Sequence, residues 1–216
     1  MQVVSSCLPF APINWWAHII EATKVVFDLA EHYEKMSYRN KYRISGANNP
    51  IQLSIPLVNG REQRSPMAYV QIFNDDKWQV QHWRTLVSVY KQTPYWEYYE
   101  QDLQNFYNTP FNNLTDFNKA SFLWICKQLK MNISIEETNS YLAQYPDTII
   151  DLRSLKPSKE QKLLARFPTY YQVFADRVGF LPNLSILDLL FSEGPHTANW
   201  LKTNKTVLTS SDGNSI

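Results

Sequence analysis

Apolar residues crowd the segment Leu184-Ser185-Ile186-Leu187-Asp188-Leu189-Leu190-Phe191-Ser192-Glu193-Gly194-Pro195, leaving it almost no polar side. The pattern predicts a helix buried on most of its circumference. Ser185 and Asp188 have capping-box spacing, in which the hydroxyl accepts from the Asp188 N–H and the carboxylate reaches back to the N–H of Ser185. Gly194 supplies a left-handed stop and Pro195 prevents continuation. A helix buried in this way needs the rest of the domain around it.

The preceding chain supplies that surround. Val3-Val4 reads as a short strand. Trp15, Trp16, Ile19, Ile20 and Thr23 recur at near-helical spacing, and Lys24-Val25-Val26-Phe27-Asp28 reads as a buried strand, a unit compatible with parallel pairing. Ile51 to Leu57 alternates as a half-buried strand does, and Ala68 to Ile72 is a further strand candidate. Asp75 or Asp76 can cap a helix running to Lys91, with Trp78, His82, Leu86 and Tyr90 at four-residue intervals. Helices are expected again from Tyr95 to Tyr107 and from Thr115 to Lys130, then a short strand at Ile133-Ser134-Ile135. Ser158 can cap a short helix over Lys159 to Arg166, and Thr197 to Leu201 can add a last turn.

The expected class is therefore α+β, with α/β character at the N-terminus. It is one domain over residues 1–202, a mixed sheet flanked by helices around a buried C-terminal helix. Residues 203–216 are expected to form a polar, flexible tail.

Composition narrows the chemistry. A formal net charge of +1 argues against a nonspecific binder of nucleic-acid phosphates, although it leaves room for a local basic patch. Cys7 and Cys126 belong to no Cys-x-x-Cys pair, so neither a disulfide framework nor a zinc site is expected. No signal peptide and no run long enough to span a bilayer is evident, and a reducing cytoplasm is the expected location. Nucleotide-cradling glycine loops, Gly-x-Ser-x-Gly and His-Glu-x-x-His are absent from a chain with five glycines. No metal and no cofactor are predicted.

His82 is the leading candidate acid or base, since imidazole titrates near neutrality, although a histidine beside Trp78, Trp83 and Leu86 also suits a hydrogen-bonded core position. Lys35, Arg39, Lys41 and Arg43 can meet a phosphate or carboxylate, Arg39 as a planar fork, with Tyr33, Tyr38 and Tyr42 as stacking faces. A plain strand with one charged face explains the same alternation. Asp188 is either a catalytic carboxylate or only the helix cap, and Cys7 either a nucleophile after the first strand or a buried, inert thiol.

Several stretches together resemble the WbqC-like protein family of bacteria, in the form common in Bacteroidetes. They are Glu31-x-Tyr33-x-Lys35-x-Ser37-Tyr38-Arg39-Asn40, Leu53-Ser54-Ile55-Pro56, Trp78-x-x-x-His82-Trp83-Arg84-Thr85, Tyr90-x-x-x-Pro94-Tyr95, Tyr171-Gln172-Val173-Phe174 and the segment from Asn183 to Pro195. Many relatives carry a His-Gln or Gln-rich pattern where this chain has Ser5-Ser6-Cys7. The resemblance implies a role in surface-polysaccharide, O-antigen-type biosynthesis. It moves Lys35, Arg39 and Asn40 above the other polar residues. The resulting expectation is a small anionic metabolite, such as a nucleotide sugar or activated acyl donor. It would be bound by Lys35, Tyr38, Arg39, Asn40, Trp83, Arg84 and Tyr90, with His82 and Asp188 as catalytic groups of a group-transfer enzyme. The alternative is a noncatalytic interaction or scaffold protein of the same pathway. The oligomeric state is left open.

Overall fold

The computed structural model describes residues 1–60, 64–159 and 161–210. In chain order the strands and helices are β1 (Gln2–Ser5), α1 (Ile13–Ile19), β2 (Lys24–Phe27), β3 (Lys41–Ile44), β4 (Ile51–Ser54), α2 (Trp78–Tyr90), α3 (Trp96–Asn108), α4 (Leu114–Gln128), β5 (Ser134–Glu137), β6 (Ile149–Asp151), α5 (Gln161–Ala165), α6 (Ala175–Val178), α7 (Ile186–Glu193), α8 (Thr197–Thr203) and α9 (Lys205–Thr209). The class is mixed α+β in one domain.

The parallel and antiparallel pairings are divided between two sheets. Four strands run parallel in the order β5-β2-β1-β6, and β3 pairs antiparallel with β4. Val3, Val4, Val25 and Val26 are all buried at the centre of the parallel sheet, so β1 and β2 read as apolar runs rather than alternating ones. By contrast β3 alternates, with Tyr42 and Ile44 inward. The strand expected over Ala68 to Ile72 is instead a 3₁₀ turn, Met67–Tyr69, followed by single bridges from Gln71 and Ile72. Alternation there reflects a chain laid over the core without a continuous partner strand.

α2 buries Trp78, His82, Leu86 and Tyr90 on one face, as the four-residue spacing predicts. Its start differs from expectation. Lys77 occupies the cap position, and the Asp76 backbone carbonyl rather than a carboxylate accepts the Trp78 N–H. The expected helix after Ser158 becomes a 3₁₀ turn and the short α5; Glu160 lies outside the described residues. Beyond Lys202 the chain does not simply trail away, since α9 packs on α1 and buries Leu208. Residues 211–216 lie outside the described residues.

At the centre is α7, with Ile186, Leu187, Leu189, Leu190 and Phe191 wholly buried. Each such side chain contributes about 1.5–3 kcal/mol of transfer free energy. The chain just before it is stitched into the core by backbone bonds. Leu184 accepts from Ile13, Ile186 donates to Ala11, and Ser185 donates to Arg43 of β3. The Ser185 hydroxyl accepts from Leu187 N–H at 3.3 Å and donates to the Phe10 carbonyl at 2.8 Å. The predicted capping box does not form: the Ser185 hydroxyl caps Leu187 instead of Asp188, whose N–H goes to the Ser185 carbonyl, while Arg43 takes the Ser185 N–H and the Asp188 carboxylate turns elsewhere.

Gly194 ends α7 at φ 53°, and a Cβ built there falls inside the Tyr95 ring. Gly194→Ala therefore combines backbone strain with a steric clash. We expect it to destabilise the fold by more than about 1 kcal/mol. The measurement is a lowered urea midpoint at unchanged m-value; an unchanged midpoint would show that the helix can end without this residue.

Candidate functional site

The parallel strands all deliver their carboxyl ends to one edge, where open α/β sheets commonly hold ligands. After β1 come Ser6 and Cys7, after β2 residues 28–34, after β5 Tyr141 and after β6 Arg153. The segments after β2, β5 and β6 line a cleft of about 750 Å³, whose walls include Glu31, Glu34, Arg39, Tyr141, Asp151 and Arg153.

Two arginines organise this edge. Arg39 is 4% exposed and meets Glu31 through two parallel bonds, Nε to Oε1 at 3.1 Å and Nη2 to Oε2 at 2.7 Å. Its Nη1 donates to Glu34 at 3.2 Å. Burial pushes the Glu31 carboxyl upward although the Arg39 pair opposes it. The Ser6 hydroxyl also draws it down but has no well-formed hydrogen bond. Glu34 lies below the ordinary range, chiefly through its bond from Lys156.

Arg153 is a clip with every donor engaged. It bonds Asp28 through Nη1, Asp151 through Nε and Nη2, and the carbonyls of Leu142 and Ala143. Burial raises the Asp151 carboxyl, but the bonds from Arg153 outweigh it and leave the group lowered. Asp28 also accepts from Glu31 N–H and the Thr138 hydroxyl, tying the loops after β2 and β5 together. Glu31, Asp28 and Arg153 carry this edge, and their roles could have been suspected only from Glu31 beside the strip and from the positions after strand ends.

The sequence-predicted residues scatter. The stretch 31–40 is a succession of turns rather than a strand. Arg39 reaches the cleft, but as the centre of a salt-bridged cluster rather than an open fork. Lys35 is exposed. Tyr38 is buried against Arg43, which donates to its hydroxyl at 2.7 Å. Asn40 accepts from Tyr33 and donates to the Ile55 carbonyl, so its amide is occupied in structure. Trp83 and Arg84 line a separate groove of about 580 Å³ between α2 and Val173-Phe174, with Lys91 further along the same helix. Trp83 stacks on Trp96 there, and Arg84 is exposed.

His82 is 5% exposed and fully engaged. Nε2 faces the Ser54 carbonyl at 3.3 Å, which can only accept, so Nε2 carries the proton. Nδ1 then accepts from the Tyr42 hydroxyl at 3.1 Å, and Tyr42 in turn accepts from Tyr107. Burial pushes the imidazole down to about 4, with the Ser54 carbonyl partly opposing it. His82 is thus a neutral imidazole inside the core with both ring nitrogens hydrogen-bonded. Cys7 is likewise enclosed; burial holds its thiol far above the ordinary range, so it is not a poised nucleophile.

Asp188 is 1% exposed and accepts from Tyr90 and Tyr170, each at 2.6 Å, and from Gln172 at 3.2 Å. Burial raises the carboxyl to about 6, and the tyrosine and Gln172 bonds hold it from going higher. Tyr90 is thus a buried partner of Asp188 inside the core. Among the described residues no group of His, Cys, Asp and Glu could hold a metal ion. None of their helices is long and apolar enough to cross a membrane.

A parallel sheet with a charged cleft at its carboxyl edge defines an α+β domain with a small-molecule-sized concavity. The chain belongs to the WbqC-like protein family, whose model matches residues 8–161. The match takes in the Lys35–Asn40 strip and His82 but ends before α7, the segment that dominates the core. No curated protein and no solved structure matches the chain.

Two expectations follow from these networks. Because the folded imidazole is depressed, its stability contribution is present above pH about 6.5 and is lost as the pH falls through about 4. His82 should therefore show no titration between pH 5 and 8 in a nitrogen-detected NMR series, with Nδ1 unprotonated throughout. A midpoint near 6.5 would contradict the buried assignment. Asp188 has the opposite sign: its folded value is raised, so the contribution is fully present below pH about 3.8 and lost as pH rises through about 6. Relative to Asp188→Asn, the wild type should lose urea stability between pH 4 and 6; parallel curves would refute the raised carboxyl.

Proposed function

We propose that the protein acts in the cytoplasm in the assembly of bacterial surface polysaccharide, as a binder of a small polar metabolite held in the cleft at the carboxyl edge of the parallel sheet. Family membership supports the pathway, because WbqC-like proteins accompany surface-glycan gene clusters. The observation that carries the site is a buried guanidinium, Arg39, set in the wall of an open cleft where the parallel strands end. Its pairing with Glu31 and Glu34 offsets the cost of burying the charge and fixes the group in the wall of the cleft, a position that suits recognition.

In this reading His82 and Asp188 do not transfer protons to the ligand, since both are enclosed and saturated by core partners. The expected anion contact at Arg39 is likewise weakened by the two carboxylates already on it. A nucleotide sugar or activated acyl donor remains within reach if its uncharged end enters the cleft. The second reading, a noncatalytic interaction or scaffold protein, is favoured by the dispersal of His82, Lys35, Arg39 and Asp188 over separate parts of the fold.

Thermal-shift screening against nucleotide sugars and acyl donors separates the two. A ligand present at 100 times its Kd stabilises by about 2.7 kcal/mol. We expect stabilisation that Tyr141→Ala in the cleft diminishes and Arg84→Ala in the α2 groove leaves intact. The reverse pattern would move the site to the groove, and silence with every probe would favour the scaffold reading.

A further inference from the structure

Resting on the assignment of the cleft as the ligand site, the geometry points to a neutral, polyhydroxylated ring, a hexopyranose, as the group it receives. We infer this from the cleft's charge, its unspent hydrogen-bonding groups and its exposed aromatic wall.

The charge comes first. Among the described residues lining the cleft, the carboxylates of Glu31, Glu34 and Asp151 face the guanidiniums of Arg39 and Arg153, and the further partners Asp28 and Lys156 behind them leave the same excess of one negative charge. Glu34 and Asp151 are held on the ionised side of their ordinary behaviour. A phosphate or carboxylate entering here adds negative charge to a site that already carries an excess of it. Neutral ligands meet no such repulsion.

The hydrogen-bonding groups are of both kinds. A guanidinium has five N–H groups, and Arg39 spends three of them, on Glu31 and Glu34. The two that remain, on Nη1 and Nη2, have no partner among the described residues. Arg153, by contrast, has none to offer. The carboxylates of Glu34 and Asp151 are 43% and 34% exposed, and their oxygens retain lone pairs. A hydroxyl can accept from Arg39 and donate to a carboxylate at the same time. Two vicinal hydroxyls can serve both sides of the cleft.

An aromatic face completes the match. Tyr141 is 58% exposed while lining the cleft, and its ring is braced from one side by the Arg153 guanidinium at 5.3 Å from the centroid. The apolar C–H face of a pyranose can lie against such a ring while its hydroxyls reach the polar wall. His32, exposed at the same rim, adds a further polar group.

The test uses the full chain and four probes: methyl glycosides of glucose and of N-acetylglucosamine, glucuronate, and inorganic phosphate. Binding is followed by ligand-observed NMR, with circular dichroism confirming that each variant folds. We expect saturable binding of at least one methyl glycoside, with no competition from phosphate. Tyr141→Ala and Glu34→Gln should each weaken it about tenfold, the loss of one charge-assisted hydrogen bond in the second case. Preference for glucuronate or phosphate, still weakened by Tyr141→Ala, would overturn the neutral-ring assignment while leaving the cleft as the site. Binding indifferent to both substitutions, or no binding by any probe, would overturn the cleft assignment and this inference with it.

Discussion

The fold depends on one buried carboxylate and the three side chains that solvate it. Asp188 sits on α7 inside the core, and water is replaced around it by Tyr90 from α2 and by Tyr170 and Gln172 from the loop before α6. Gln172 is itself fixed at both ends, donating to and accepting from Leu181, and Tyr90 accepts from the Ser45 N–H after β3. Four separate stretches of chain thus converge on one charge. Such a cluster holds only when every member is present, because a lone buried carboxylate is far more costly than a paired one. Its consequence is orientation: α7 can take only the rotation that delivers Asp188 to the two phenols.

A second set of restraints acts on Phe10, a residue with φ 38°, a conformation rarely adopted by a large side chain. Its N–H donates to Ser121 and its carbonyl accepts from Ser185, so α4 and the start of α7 hold the strained backbone between them. The ring thereby enters a cluster with Tyr42, Phe106, Phe117 and Trp124. That aromatic cluster encloses the Tyr107–Tyr42–His82 chain. The same packing that makes the core dense makes its polar groups unreachable, which is why chemistry has to be sought at the sheet edge.

At that edge the carboxylates and arginines serve two ends. Arg153 and Asp28 join the loops after β2, β5 and β6, while the Arg39–Glu31 pair shapes the wall of the cleft. Structural clips of this kind hold the groups of the cleft wall in place. The groove between α2 and Val173-Phe174, with Trp83 and Arg84, has no comparable network of salt bridges among the described residues.

Periodicity alone determined a good part of the fold. The β1–α1–β2 unit, the buried face of α2 at Trp78, His82, Leu86 and Tyr90, and the long helices α3 and α4 are local matters of spacing, and so is the left-handed stop at Gly194. What only the tertiary structure decided is where each polar side chain finds its partner. Asp188 was legible as a cap because Ser185 lies three residues before it, yet its bonds come from Tyr90, 98 residues away, and from Tyr170 and Gln172. His82 suggests a base because imidazole titrates near neutrality, whereas in the fold it is buried, with Tyr42 and the Ser54 carbonyl on its two nitrogens and its pKa pushed down to about 4. Arg39 stood out in the sequence as a planar fork, but the carboxylates that neutralise it and the Arg153 clip across the cleft, from residues 31 to 153, meet only when parallel strands bring their ends together. Hydrogen bonds and desolvation depend on distances in space, and a linear sequence records those only where the chain stays local.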